Sequence, residues 1–157
     1  MTTTANMQHI NVNVESLDEA IEFYHGVIGL ALDDTPDQGF ESQFFRINAS
    51  QQIHLNVIAD LRPFRAHFCM DVDDFMGVFH RAKAAKVIDT EPWGRVRRLP
   101  SGKMQMFLRD PSGNLVEIGS QKDSVIDPAL FDDELVEREP GTYKMAPGAT
   151  VGAHVPA

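Results

Sequence analysis

The chain has a single cysteine, Cys69, so no disulfide can form within it. That usage suits a reducing compartment, and a cytoplasmic location is expected. Basic residues are scarce: 14 Lys and Arg stand against 23 Asp and Glu, a net charge of −9. Such a balance argues against binding to nucleic acid or to an acidic membrane. No apolar run is long enough to span a bilayer, and the first residues show no charged-then-apolar leader. The rest of the composition is that of an ordinary soluble globular protein, 43% hydrophobic and 24% charged. Its 157 residues suffice for one compact domain, or for two small units sharing a core.

What is present is a pattern that occurs twice. MQHINVNV alternates, with Ile10, Val12 and Val14 on one side and His9, Asn11 and Asn13 on the other. A helix follows, with Leu17, Ala20, Ile21, Tyr24 and Ile28 near helical spacing. Ser16 and Glu19 fit a capping box, and Gly29 fits a helix stop. A short strand over Ala31 to Asp33, then FESQFFRI and QQIHLNVI around an NASQ turn, complete the first unit. RAHFCMDV reopens the plan, and the helix after it places Phe75, Val78, Phe79, Ala82 and Ala85 on one face. His9 falls on His67 and Ile21 on Phe79, an ungapped offset of 58 residues. Phe44 falls on Phe107, Arg46 on Arg109 and His54 on Glu117, an offset of 63. The five extra residues belong to the hairpin around WGRVRRLPSGK. Such a repeat means two copies of one supersecondary unit, neither able to bury its sheet face alone.

Each unit opens and closes on a strand bearing one potential metal ligand: His9 and His54, then His67 and Glu117. Glu117 stands between Val116 and Ile118, where an uncompensated carboxylate would be costly. A lone histidine on an amphipathic strand is more often solvated or hydrogen-bonded. Four such residues at matching positions of a repeat point instead to one shared cation. Three imidazoles and a carboxylate suit zinc, iron, nickel, cobalt or manganese. His25, His80 and His154 read as solvated.

The stretches MQHINVNVESLDEAIEFYHGVIGL, RAHFCMDVDDF and FLRDPSGNLVEI resemble the vicinal oxygen chelate superfamily, over roughly residues 7 to 119. That superfamily groups glyoxalase I, extradiol dioxygenases and bleomycin-resistance proteins. The resemblance implies an α+β fold of two βαβββ modules, about 7–58 and 65–119, forming a metal-lined cup. It implies one divalent metal ion per site, with His9, His67 and Glu117 as shared ligands. His54 falls where glyoxalase I carries a glutamate. The implied activity is a glyoxalase-type lyase, isomerase or epimerase. It would act on a small oxygenated substrate through a metal-stabilised enolate. With His54 in place of that glutamate, Glu117 is the only ligating carboxylate left to act as base, by partly leaving the metal. An iron(II) extradiol dioxygenase and a metal-free ligand-sequestering protein are the alternatives. A homodimer is the superfamily's habit.

The Asp110-Pro111 turn, with Gly113 supplying a positive φ, sets the register of the strand after it. A slip of one residue would carry Glu117 to the helix side. Asn11, Asn56 and Cys69 fall on the cup side, and Glu41 and Asp71 are weaker candidates for a base. Arg95, Arg97, Arg98 and Lys103, near Trp93, form a basic hairpin that would steer an anionic substrate or simply be solvated. Arg46 and Arg109, at equivalent positions, read as structural. Residues 120–157 have another character, rich in acid, proline and glycine. A short helix is expected over 127–139, capped by Asp127, and an extended or disordered tail after it.

Overall fold

Both halves fold as the repeat requires. The computed structural model describes residues 7–59, 61, 67–89, 96–99, 102–121, 123–127, 129 and 135–137. The first unit comprises β1 (His9–Val14), α1 (Leu17–Ile21) running into a π-helical segment (Glu22–Ile28), β2 (Ala31–Asp33), β3 (Ser42–Arg46) and β4 (Gln52–Val57). The second comprises β5 (His67–Val72), α2 (Phe75–Ala85), β6 (Val96–Arg98), β7 (Met104–Arg109) and β8 (Leu115–Ser120), and a last strand β9 (Leu135–Glu137) follows. One sheet runs β1-β4-β3-β2 and the other β5-β8-β7-β6-β9. In each unit the first strand lies parallel to the last, β1 to β4 and β5 to β8, and the remaining neighbours within the unit are antiparallel. This is the expected α+β arrangement of two βαβββ modules. Among the described residues no helix is long and apolar enough to cross a membrane.

Local chemistry sets the helix ends. Ser16 caps α1 by accepting from the Glu19 N–H, and Asp18 and Glu19 complement the dipole of its first turn. Gly29 ends the helix at φ 93°, a left-handed conformation that a Cβ disfavours. Between them the backbone departs from the regular spacing, because Glu22–Ile28 is π-helical. Successive residues turn through a smaller angle there, so adjacent Phe23 and Tyr24 both enter the core. Asp74 caps α2 through the Gly77 N–H.

The inward faces of both sheets and the two helices form one continuous core, which includes Val12, Ile53, Leu55, Met70, Val116 and Ile118. The π-helical segment packs on α2. A polar joint reinforces this contact. Asp110, Ser112 and Asn114 are 3%, 8% and 2% exposed. Tyr24 Oη donates to Asp110 Oδ2 at 3.2 Å, and Asn114 Nδ2 donates to the Asn13 carbonyl at 3.0 Å. Ser112 Oγ accepts from the Glu15 N–H at 2.9 Å. The turn that sets the register of β8 therefore also joins the second module to the first.

The segment after β8 differs from expectation. The anticipated helix over 127–139 does not extend to Leu135–Glu137, which instead form β9 beside β6. Without β9 the outer edge of β6, whose other edge pairs with β7, would leave a row of backbone donors and acceptors open. The C-terminal extension thus contributes to the second sheet. The tail beyond Glu137 lies outside the described residues.

Candidate metal centre

Period-two alternation decides which side chains leave the core. Val12, Val14, Ile53, Leu55 and Phe45 face inward, so His9, Asn11, His54, Asn56 and Phe44 occupy the opposite face of the first sheet. In the second sheet Met70, Val116, Ile118, Met106 and Leu108 face inward, leaving His67, Cys69, Glu117, Gln105 and Phe107 outside.

On the second sheet the two expected ligands meet. His67 Nε2 lies 2.9 Å from Glu117 Oε2, and Gln105 Nε2 donates to Glu117 Oε1. The carboxylate within an apolar strand is thus met from two sides by the protein's own groups. The His67 ring stands edge-on to Phe107, with centroids 5.2 Å apart. Two donors about 2.1 Å from one ion and at right angles around it lie about 3 Å apart. The His67–Glu117 separation therefore fits neighbouring positions on a divalent cation.

The first sheet offers a different arrangement. The His9 and His54 rings stack at 4.2 Å and 11°, and Phe44 stacks on the other face of His54 at 3.5 Å and 3°. His54 Nε2 lies 3.1 Å from Gln52 Oε1, and His9 Nδ1 meets Gln8 Oε1. Burial, and then the neighbouring His9, lower the His54 pKa. Imidazole lone pairs lie in the ring plane. The stacked rings therefore cannot both aim at one ion unless one of them turns.

Among the described residues no group of three or more His, Cys, Asp or Glu side chains is placed to hold one ion. The structure brings the four expected ligands together as two pairs rather than one cluster. The reason lies in the packing: the modules meet through helices and the Asp110 turn, and no described strand of one sheet pairs with the other. His9 and His67 both lie on edge strands, β1 and β5.

The other candidates take varied positions. Asn56 Nδ2 donates to Asn11 Oδ1 at 2.7 Å, and Asn11 Nδ2 to Asn13 Oδ1 at 3.0 Å, forming an amide row beside the imidazoles. Asn56 Oδ1 is buried and has no hydrogen-bond partner among the described residues. Cys69 pairs with Glu117 in register, and burial, then Glu117 and Asp71, push its thiol up to about 12. Lys103 pairs with Asp71 at 2.6 Å, which engages both a member of the basic hairpin and a weak candidate base. Arg97 sits opposite Gln105 and so on the Glu117 face. Trp93 and Arg95 lie outside the described residues, as does His154. Glu41 is exposed on the loop before β3. His25 is exposed, but its Nδ1 lies 2.8 Å from the Leu30 carbonyl oxygen. Arg46 pairs with Asp33, and Arg109 with Asp89 at 2.5 Å.

Gln105 and Gln52 were not singled out by sequence, because an amide on an amphipathic strand carries no distinctive signal. The repeat did align Phe44 with Phe107, the two rings that pack on the imidazoles. A separate groove of about 960 Å³ between the modules is bordered by Arg46, Asp71 and Arg81 and touches none of the four candidate ligands.

The sequence profile of the Glyoxalase/Bleomycin resistance protein/Dioxygenase superfamily matches residues 6–118. Solved structures share the fold. A lactoylglutathione lyase from Agrobacterium tumefaciens is 26% identical with a TM-score of 0.55, over 78% of this chain and 97% of that one. A glyoxalase/dioxygenase from Nostoc punctiforme is 21% identical with a TM-score of 0.60, over 77% and 97%. The oxidase ChaP-H2 is 19% identical with a TM-score of 0.63, over 76% and 95%. No curated protein matches the chain.

Proposed function

Because the chain belongs to the Glyoxalase/Bleomycin resistance protein/Dioxygenase superfamily, we propose that it is a divalent-metal-dependent lyase or isomerase acting on a small oxygenated substrate. The observation that carries this reading is the His67–Glu117 pair, whose donor atoms lie 2.9 Å apart. A bound divalent ion would supply Lewis acidity toward a substrate carbonyl. His67 and Glu117 would hold it from the second sheet, and His9 and His54, once one of the stacked rings turns, would hold it from the first. Gln105 occupies Glu117 Oε1, and Oε2, which faces His67, is the oxygen that would turn from the ion to act as base. In this scheme Glu117 takes a proton from the carbon beside the carbonyl and returns it at the neighbouring carbon. Asn11 and Asn56 line the adjacent wall, and Arg97 offers charge to an anionic substrate.

The complete site lies between two copies of the chain. One copy's β1 edge brings His9, and its partner's β5 edge brings His67 with Glu117. The separation of the ligands into two pairs within a single chain supports this arrangement.

One observation favours a second reading. His54 is covered on both ring faces, and its Nε2 is engaged by Gln52. With His54 held back, His9, His67 and Glu117 make the two-His-one-carboxylate set of iron(II) ring-cleaving dioxygenases.

Metal analysis of protein purified without added metal tests the shared premise. About one ion per chain is expected, lost in His67→Ala. Protein that takes up neither zinc, nickel nor iron would instead be a metal-free binding protein. Turnover of methylglyoxal–thiol adducts without oxygen is the expected activity. Turnover of catechols alone, with iron(II) and oxygen, would replace it with the dioxygenase.

A further inference from the structure

Beside His54 lies a chain of hydrogen bonds with a fixed direction. Asp33 on β2 accepts from Arg46 Nε at 3.3 Å and from Arg46 Nη2. Those bonds, with a third from Gln52, lower its carboxyl to about 2, so at neutral pH it is an acceptor only. Gln52 Nε2 donates to Asp33 Oδ2 at 2.9 Å. An amide that turns its nitrogen to a carboxylate must turn its oxygen the other way, and Gln52 Oε1 lies 3.1 Å from His54 Nε2. A carbonyl oxygen only accepts, so that ring nitrogen must carry the proton. The stacked rings of Phe44 and His9 hold the imidazole in this plane.

We infer that Asp33, acting through Gln52, is a positioning residue that fixes His54 in the tautomer protonated at Nε2, leaving Nδ1 as its one free lone pair. Whatever approaches His54 in the plane of its ring, a cation or a substrate donor, meets its lone pair only at Nδ1. The bearing on ion binding rests on the function proposed above; the tautomer itself does not.

The test uses metal-free, 15N-labelled full-length protein, so the absence of metal binding would leave it intact. Long-range 1H–15N spectra at a pH where His54 is neutral should show a protonated Nε2 and a lone-pair Nδ1. In Asp33→Asn the new amide keeps its oxygen on Arg46 and donates to Gln52 Oε1. Gln52 then turns its nitrogen to His54, and the proton moves to Nδ1. Should that variant fail to fold, Gln52→Met removes the acceptor and leaves the Asp33–Arg46 pair. The share of the Nδ1-protonated form should then rise about fivefold, the effect of one lost neutral hydrogen bond. A proton on Nδ1 in the wild type overturns the inference. So does a wild-type tautomer in the folded Asp33→Asn variant, or an unchanged share in Gln52→Met.

Discussion

Glu117 shows what a single residue's neighbours decide. Its carboxylate is shared, Oε1 with Gln105 and Oε2 with His67, so it is satisfied with or without an ion. Outer hydrogen bonds of this kind orient a ligand and tune its affinity. Gln105→Leu is therefore expected to weaken metal binding by about tenfold or more while the protein stays folded, as titration calorimetry would show. Cys69 reports on the same place. Its thiol is pushed up to about 12, above its unfolded value, so the neutral form is favoured in the folded state. The associated stability is full below the unfolded value near 8.5 and is lost as pH rises toward 12. Alkylation of metal-free protein at pH 8 should run on the order of a hundredfold slower than in the unfolded chain. Glu117→Gln, which removes a neighbouring charge, should speed it; an unchanged rate would place the cause elsewhere.

At the scale of elements, caps and turns set the geometry that the strands inherit. Ser16→Ala should cost about 1 kcal/mol of stability, read from denaturant unfolding. The Asp110 turn carries more, because it also joins the modules. Burial raises the Asp110 pKa above its unfolded value, while the bonds from Asn114 and Tyr24 work against that rise. Its contribution to stability is fullest below the unfolded value of about 3.9 and falls as pH climbs through the raised folded value. The Tyr24 hydroxyl stabilises the ionised form that burial disfavours. Tyr24→Phe should thus lose about 1.5 kcal/mol or more at pH 7 and less once Asp110 is protonated. Thermal melts at the two pH values check the difference; an equal loss at both would remove Asp110 from the account.

At the scale of the whole molecule the question is whether the two pairs of proposed ligands meet in one site. If they meet across two copies, a chain carrying His9→Ala and one carrying Glu117→Ala each lack a working site. Mixed and allowed to exchange, half of the dimers pair one with the other, and each of those holds one site with both ligands intact. Metal binding should recover to about a quarter of the wild-type level. No recovery, with exchange verified by mass spectrometry, would mean that the site forms within one chain.

The amino-acid sequence by itself determined the two βαβββ units, their strands and the choice of residues that leave the core. Those features follow from short-range alternation and from a repeat that aligns His9 with His67 and His54 with Glu117. Turn chemistry was legible as well, since Asp110-Pro111 and Gly113 need only local backbone rules. Only the tertiary structure decided that the four expected ligands stand as two pairs, that His54 lies sandwiched between Phe44 and His9, and that Gln52 and Gln105 hydrogen-bond His54 and Glu117. It also decided that Leu135–Glu137 form a strand and that Glu22–Ile28 widen into a π-helix. Those outcomes depend on contacts between residues far apart in the chain, and on the space left when two modules pack helix to helix, which no local period encodes.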